Sequence, residues 1–281
     1  MRNWLWIVAL VLIGVGVVVV PWASPTKMIV AALLIFLVLK MQTLVSYSAR
    51  CGRPSLRDQL LWFVAWPGLQ ANNFFASKEV PERPSKGEWI WAAAKTLFGI
   101  TLFVASRWLS EVNVVAGGWM TMAGIVFAFH FGSLHLAALA WRRAGRNVTP
   151  IMNAPILATS LSEFWSRRWN RAFRDFAHLF VLRPVAKQWN MTAATWLSFI
   201  FSGLVHELAI SFPAGAGYGL PTGYFLLQAF GLTLERWSVR RGVPLGKGVF
   251  GWCFALVFVL GPVVWLFHPP FVNKVILPLI S

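Results

Sequence analysis

The residues most able to do chemistry lie in an apolar stretch, Thr192 to Phe212. At helical spacing, Thr195, Ser198, Ser202 and His206 fall within about 80° of one face, flanked by Gly203 and Glu207. A charged group at the centre of a bilayer costs about 2.5–3.5 kcal/mol even on the lenient insertion scale, so such residues face a protein interior or an aqueous cavity. A satisfied hydrogen bond between helices explains Ser202 and Gly203, but not an adjacent His and Glu. The sequence has five His, two distant Cys (Cys51 and Cys253) and no HExxH, so no metal is expected. Ser202 stands one turn before His206, but no Gly-x-Ser-x-Gly elbow frames it as a nucleophile, and Walker and Rossmann fingerprints are absent. A general base acting on a lipid-soluble hydroxyl is the economical role for His206.

A second group precedes it. Ser160-Leu161-Ser162-Glu163 reads as a capping box. From there a helix would gather Trp165, Trp169, Ala172, Phe173, Phe176 and Phe180 into one stripe, with Arg167, Arg171, Arg174 and His178 opposite. One reading is an interfacial helix whose cations meet anionic lipid. The sharper one adds that arginine forks beside a membrane cavity suit the phosphates of an anionic substrate. Asn170 lies between the two faces, beside Ser166 and Glu163, and is expected to point into protein.

The elements that must position these groups are transmembrane. Of 281 residues, 58% are hydrophobic and 12% charged, and the mean hydropathy is +0.64. Soluble, disordered, collagenous and disulfide-rich secreted classes are excluded. Seven spans are expected: Trp4 to Val20, Met28 to Val45, Trp89 to Trp108, Val114 to Trp141, Thr192 to Phe212, Gly219 to Trp237 and Val249 to Phe267. The first is read as a retained helix rather than a signal peptide. An eighth piece, Leu60 to Phe75, is broken by Trp66-Pro67-Gly68 and is expected to be re-entrant or interfacial. In His130 and His135, five residues apart, ideal α-helical geometry predicts two side chains that do not converge. Both cysteines are expected to be structural.

The net charge of +16 fits cationic cytoplasmic loops rather than nucleic acid. With the eighth piece not crossing, 20 of the 25 basic residues collect on one side, including Arg2 and Lys78. That side is assigned to the cytoplasm, with the N-terminus. The other keeps Lys27, Arg107 and Lys274, while Lys40 and Lys95 lie inside spans. No repeat or composition break divides the chain, so a single domain, residues 1–281, is expected. Short loops favour a bacterial inner membrane; in a eukaryote the same chain would sit in the endoplasmic reticulum.

Two segments carry a family resemblance. They are Pro155-x4-Ser160-Leu161-Ser162-Glu163-Phe164-Trp165-Ser166-Arg167-Arg168-Trp169-Asn170 and Phe201-Ser202-Gly203-Leu204-Val205-His206-Glu207, with His206 placed 36 residues after Asn170. In order, spacing and membrane setting they resemble the membrane-bound O-acyltransferase superfamily, in its wax synthase branch; Trp66-Pro67-Gly68 also resembles an upstream element there. The resemblance implies an all-α polytopic fold of seven to eight spans enclosing an intramembrane tunnel. It also implies acyl-CoA entering from the cytoplasm as co-substrate, no further cofactor, and a long-chain alcohol or similar lipid hydroxyl as acceptor. It makes His206 and Asn170 catalytic, with Glu207 either orienting His206 or staying protonated. Trp165, Arg167, Arg168, Trp169, Arg171, Arg174 and Ser202 become the candidate substrate-binding residues. The competing expectations are a different acceptor (sterol, diacylglycerol or exported polysaccharide), or a transporter using His206-Glu207 as a proton relay with Gly215 to Gly223 as a broken-helix element.

Overall fold

The computed structural model describes residues 5–76, 79–243 and 245–281, and those residues form helices and turns with no strand among them. Arg2, Trp4 and Lys78, used above to place the first span and the basic bias, lie outside the described residues. Five helices are long and apolar enough to cross a membrane: Ser24–Cys51, Lys86–Val112, Val114–Arg143, Met191–Ala214 and Gly248–Leu266. The protein is an integral membrane protein. Two of the seven expected spans do not meet both criteria. The helix α1 (Leu5–Val19) is apolar but has 15 residues, about 22 Å against a hydrocarbon core of about 30 Å. The helix Leu220–Arg240 is long enough, at 21 residues, but carries Gln228, Glu235 and Arg236.

The contacts divide the chain into two compact units. One holds Phe36–Met152 and Ile276–Ser281; the other holds residues up to Ile35 together with Asn153–Val275. The helix α2 (Ser24–Cys51) contributes to both.

In the first unit, α3 (Leu56–Ala65) stops before Trp66, and α4 (Ala71–Phe75) follows the break. The residue preceding a proline is driven to extended backbone, and Trp66 adopts φ −125, ψ 116. That leaves the carbonyls of Trp62 and Trp66 without helical donors. Lys40 of α2, fully buried, donates to both, and its ammonium lies 4.0 Å from the centre of the Trp62 ring. The expected break is therefore present and is closed by an intramembrane lysine.

Helices α5 (Lys86–Val112) and α6 (Val114–Arg143) form a hairpin turned at Asn113, whose side chain accepts from the Ala116 amide at 3.0 Å. Their backbones touch: a Cβ on Gly99 would lie 2.1 Å from the Ala128 nitrogen and 2.7 Å from the Gly124 oxygen. Gly99→Val should therefore cost about 1–3 kcal/mol or more, seen as a lower melting temperature in detergent, because backbone cannot retreat as a side chain can. Part of α6, Val126–Ser133, is π-helical, so the α-helical angle used for His130 and His135 does not apply there. His135 Nδ1 accepts from Lys95 at 2.8 Å. Cys51 is a free, exposed thiol, as is Cys253 of the second unit.

The second unit contains α7 (Leu161–Glu163, continuing as a π turn over Phe164–Arg168) and α8 (Arg171–Ala177, continuing through His178–Leu182 to Gln188). It also contains α9 (Met191–Ala214, π-helical over Glu207–Ser211), α10 (Leu220–Arg240) and α11 (Gly248–Leu260). Pro262 has no N–H, so it leaves the Phe258 carbonyl at the end of α11 unpartnered within its own helix. Gln228 of α10 donates to that carbonyl at 2.7 Å, and the neighbouring Tyr224 hydroxyl to the Val259 carbonyl at 3.2 Å. The apolar sequence of α10 thus carries its polar groups inward, to satisfy backbone broken elsewhere.

Candidate active site

The polar stripe of α9 is buried as expected, but its hydroxyl protons are spent on their own helix, while the Thr195 oxygen accepts from Arg236 of α10 at 2.9 Å. Thr195, Ser198 and Ser202 donate to the carbonyls four residues before them, at 2.8, 2.7 and 3.0 Å. Ser202 therefore acts on the site through its backbone: its carbonyl meets His206 Nδ1 at 2.7 Å. A carbonyl can only accept, so Nδ1 carries the proton and Nε2 keeps the lone pair. The imidazole is flanked by Phe225 of α10, with ring centres 4.5 Å apart, and by the edge of Phe173 of α8 at 6.3 Å. Phe173 in turn stacks on Phe201, with 5° between the planes. These contacts fix one tautomer and one ring orientation.

Glu207 does not hydrogen-bond His206 among the described residues. Its Oε1 accepts from the Gly219 amide at 3.1 Å, the Thr222 amide at 3.0 Å and the Thr222 hydroxyl at 2.8 Å. These are donors at the start of α10, where a carboxylate meets both unpaired N–H groups and the positive end of the helix dipole. The glycine turn between α9 and α10, with Gly215, Gly217 and Gly219 all at positive φ, lets the chain reverse closely enough for this. The element singled out as a broken helix is thus a cap anchored by Glu207.

The stretch from Ser160 to Phe180 is not one helix, a correction to the expected amphipathic stripe. Ser160 caps α7 by accepting from the Glu163 amide at 2.9 Å, but Glu163 reaches the Thr159 amide at 2.8 Å, so the expected box is reciprocated one residue earlier. The chain then breaks at Trp169-Asn170, where Asn170 adopts the left-handed conformation, φ 35, ψ 61. Asparagine tolerates this backbone better than other non-glycine residues. Asn170 opens α8 instead of lying within a helix, and its side chain accepts from the Phe173 amide at 3.2 Å. Asn170 thereby sets the helix whose Phe173 touches His206.

The break also separates the arginines. Arg168 pairs with Glu163 at 2.7 Å and donates to the carbonyls of Asn153 and Ala154, which ties it to protein. Arg174 pairs with Asp175 at 2.7 Å. Arg167 is exposed; Arg171 is half-buried, and burial followed by the neighbouring Arg174 charge pushes its pKa down. Of the four, Arg167 and Arg171 are the cations that no carboxylate holds within 4.0 Å among the described residues. Trp169 stacks on Phe164 at 5.6 Å, while Trp165 packs edge-on against Phe199 and donates its indole N–H to Gln228 at 3.2 Å.

The Thr159 amide holds the Glu163 carboxyl below its usual range, against the opposing effect of burial and with help from Arg168. A depressed carboxyl stabilises the fold above the unfolded pKa and loses that contribution as pH falls through the folded value. Amide exchange across Thr159 to Arg168, corrected for intrinsic rates, should speed up on acidification below the usual carboxylate range. Glu163→Gln should already be faster near neutrality and lose that dependence.

Sequence reasoning missed Gln228 and Glu235. Glu235, buried on α10, accepts from the Leu161 amide at 2.6 Å and the Ser162 amide at 3.2 Å. The signal was available: a glutamine and a glutamate inside an expected span meet the same criterion that singled out His206. Among the described residues no group of three or more His, Cys, Asp or Glu is placed to hold a metal ion.

Residues 148–227 match the family described as membrane bound O-acyl transferase, which takes in both motif segments and the start of α10. Similar proteins include a long-chain-alcohol O-fatty-acyltransferase from Simmondsia chinensis, 31% identical over 167 residues, covering 53% of this chain and 47% of the relative. A probable long-chain-alcohol O-fatty-acyltransferase 2 from Arabidopsis thaliana is 28% identical over 227 residues, 77% of this chain and 66% of its own. An acyl-CoA–sterol O-acyltransferase 1 from the same plant is 28% identical over 167 residues, 52% of this chain and 46% of the relative. The chain thus spans about a third to two thirds of the length of the curated relatives it matches. The motif order and the membrane helices agree with these similarities, which all point to membrane-bound O-acyltransferases of the wax synthase-like branch.

Proposed function

We propose that the protein transfers a fatty acyl group from acyl-CoA to the hydroxyl of a long-chain alcohol, forming a wax ester within the membrane. The observation that carries this reading is the His206 geometry: Nδ1 held by the Ser202 carbonyl, Nε2 left with its lone pair, and aromatic rings beside the imidazole. Nε2 takes the hydroxyl proton as the alcohol oxygen attacks the thioester carbonyl. The carbon–sulfur bond breaks, and the departing CoA thiolate recovers the proton from the imidazolium. No acyl-enzyme is needed, because the thioester is already activated and the site has only to align two substrates and exclude water. This agrees with a Ser202 hydroxyl spent on its own helix.

In this reading Asn170 positions the thioester, and Arg171 and Arg167 face the CoA phosphates. A half-buried guanidinium beside a second one gains most from an anion. No cofactor beyond acyl-CoA is required and no nucleic acid is involved. The chain works as one domain of seven or eight spans around a tunnel. The basic loops and the N-terminus lie on the cytoplasmic face, of the inner membrane in a bacterial host and of the endoplasmic reticulum in a eukaryotic one.

The test is ester formation by purified protein in nanodiscs, with labelled palmitoyl-CoA offered to fatty alcohols, sterol and diacylglycerol. Wax ester as the main product is the expected result. A steryl ester or triacylglycerol instead would keep the chemistry and change the acceptor, and no ester from folded protein would overturn the proposal.

A further inference from the structure

Helix α10 touches both motif segments of the second unit. Near its start, Thr222 and the Gly219 amide bind Glu207, and Phe225 lies against His206. Further along, Gln228 receives the Trp165 indole N–H. Near its end, Glu235 holds α7. Thr222 and Glu235 are 13 residues apart, about 20 Å along a helix rising 1.5 Å per residue. One rigid element therefore spans from the imidazole to the start of the segment that ends in Asn170.

The grip at the far end is strong for its size. The opening amides of a helix have no partners within it, and here Glu235 takes two of them. Its Oε2 lies 2.6 Å from the Leu161 nitrogen and its Oε1 3.2 Å from the Ser162 nitrogen, and Glu235 as a whole is 3% exposed. The Glu163 amide goes to the Ser160 hydroxyl, so the three amides from Leu161 to Glu163 are all matched by side chains. The Leu161 side chain, itself fully buried, packs with Leu232 of α10 and Ala255 of α11. A side chain without acceptors would leave both buried amide donors unsatisfied.

We propose that Glu235 is a positioning residue for the acyl donor: through α7 it fixes where the segment from Phe164 to Asn170 stands relative to His206. This rests on the acyl-transfer reading above. Glu235 does not touch the reacting atoms, and its effect falls on the side of the site that the motif segment forms. The proton on His206 is held by the Ser202 carbonyl and the ring is flanked by Phe225, neither of which Glu235 bonds.

The experiment compares Glu235→Gln and Glu235→Ala with wild type, using palmitoyl-CoA and a fatty alcohol varied separately, alongside amide exchange of the full-length protein in nanodiscs. Exchange over residues 161–170 should accelerate about ten- to hundredfold in the alanine variant, the size expected for losing hydrogen bonds to a charged group, and less in the glutamine variant, which keeps one acceptor. Exchange over residues 198–206 should not change. The KM for palmitoyl-CoA should rise about tenfold, with the alcohol KM and the pH midpoint of the rate unchanged. If the alanine variant does not fold, the glutamine variant carries the same comparison. Unchanged exchange over 161–170, or an equal rise in both KM values, would overturn the assignment. Absence of ester from wild type would instead overturn the acyl-transfer reading, leaving the exchange result to decide whether Glu235 holds the segment.

Discussion

Replacing His206 by glutamine is expected to lower ester formation by about 10²–10⁴-fold, the usual contribution of a positioned general base, with little change in thermal stability. Glutamine can still donate to the Ser202 carbonyl and fill the space between Phe225 and Phe173, so the packing that holds α8 to α9 and α10 should survive. What it lacks is a ring nitrogen that can accept a proton. The measurement is initial rate at saturating palmitoyl-CoA and alcohol, beside a melting curve. A rate within tenfold of wild type in a folded variant would remove His206 from the proton transfer.

The adjacent carboxylate should behave in the opposite way. Glu207→Leu leaves three donors at the start of α10 without their acceptor in a buried place, at about 1–3 kcal/mol each, so it should lower stability by about 3 kcal/mol or more. Glu207→Gln keeps one acceptor oxygen, and both stability and rate should stay close to wild type. Separating the two substitutions by melting temperature and kcat distinguishes a helix cap from a proton carrier. A glutamine variant that is fully stable and inactive would give Glu207 a direct part in the chemistry.

How far the sequence could be read depended on whether a feature was local. The break at Trp66-Pro67-Gly68 was legible because proline restricts its neighbours whatever surrounds it. The burial of Thr195, Ser198, Ser202 and Glu207 was legible because polar groups in a membrane must face protein. The split at Asn170 was not: a capping signal followed by an aromatic period of 3.6 describes a continuous helix, and an asparagine tolerates the left-handed region without requiring it. The partners of Lys40, Gln228 and Glu235 lie 22 to 74 residues away, so their chemistry was visible and their task was not. The arginines were misread for another reason: Glu163 and Asp175 are close in sequence to Arg168 and Arg174, but a continuous helix gave no sign of which carboxylate would hold which cation.

The π-helical turn over Glu207–Ser211 follows directly on His206. A π turn amounts to an α-helix carrying one surplus residue, and it persists where side chains on both sides are held by other elements. Here Ser202 and His206 are fixed before it, and the Ser211 hydroxyl contacts the buried His268 ring at 3.3 Å after it. Excising Leu208 would let the turn relax to ordinary α-helix without shortening the span by more than about 1.5 Å. Everything beyond would be turned by about 100° relative to His206. The surplus residue thus acts as a phase setter, letting one continuous span serve the imidazole and the His268 contact in different directions. A single-codon deletion in this turn should therefore be far more damaging than a conservative substitution at any one of its positions.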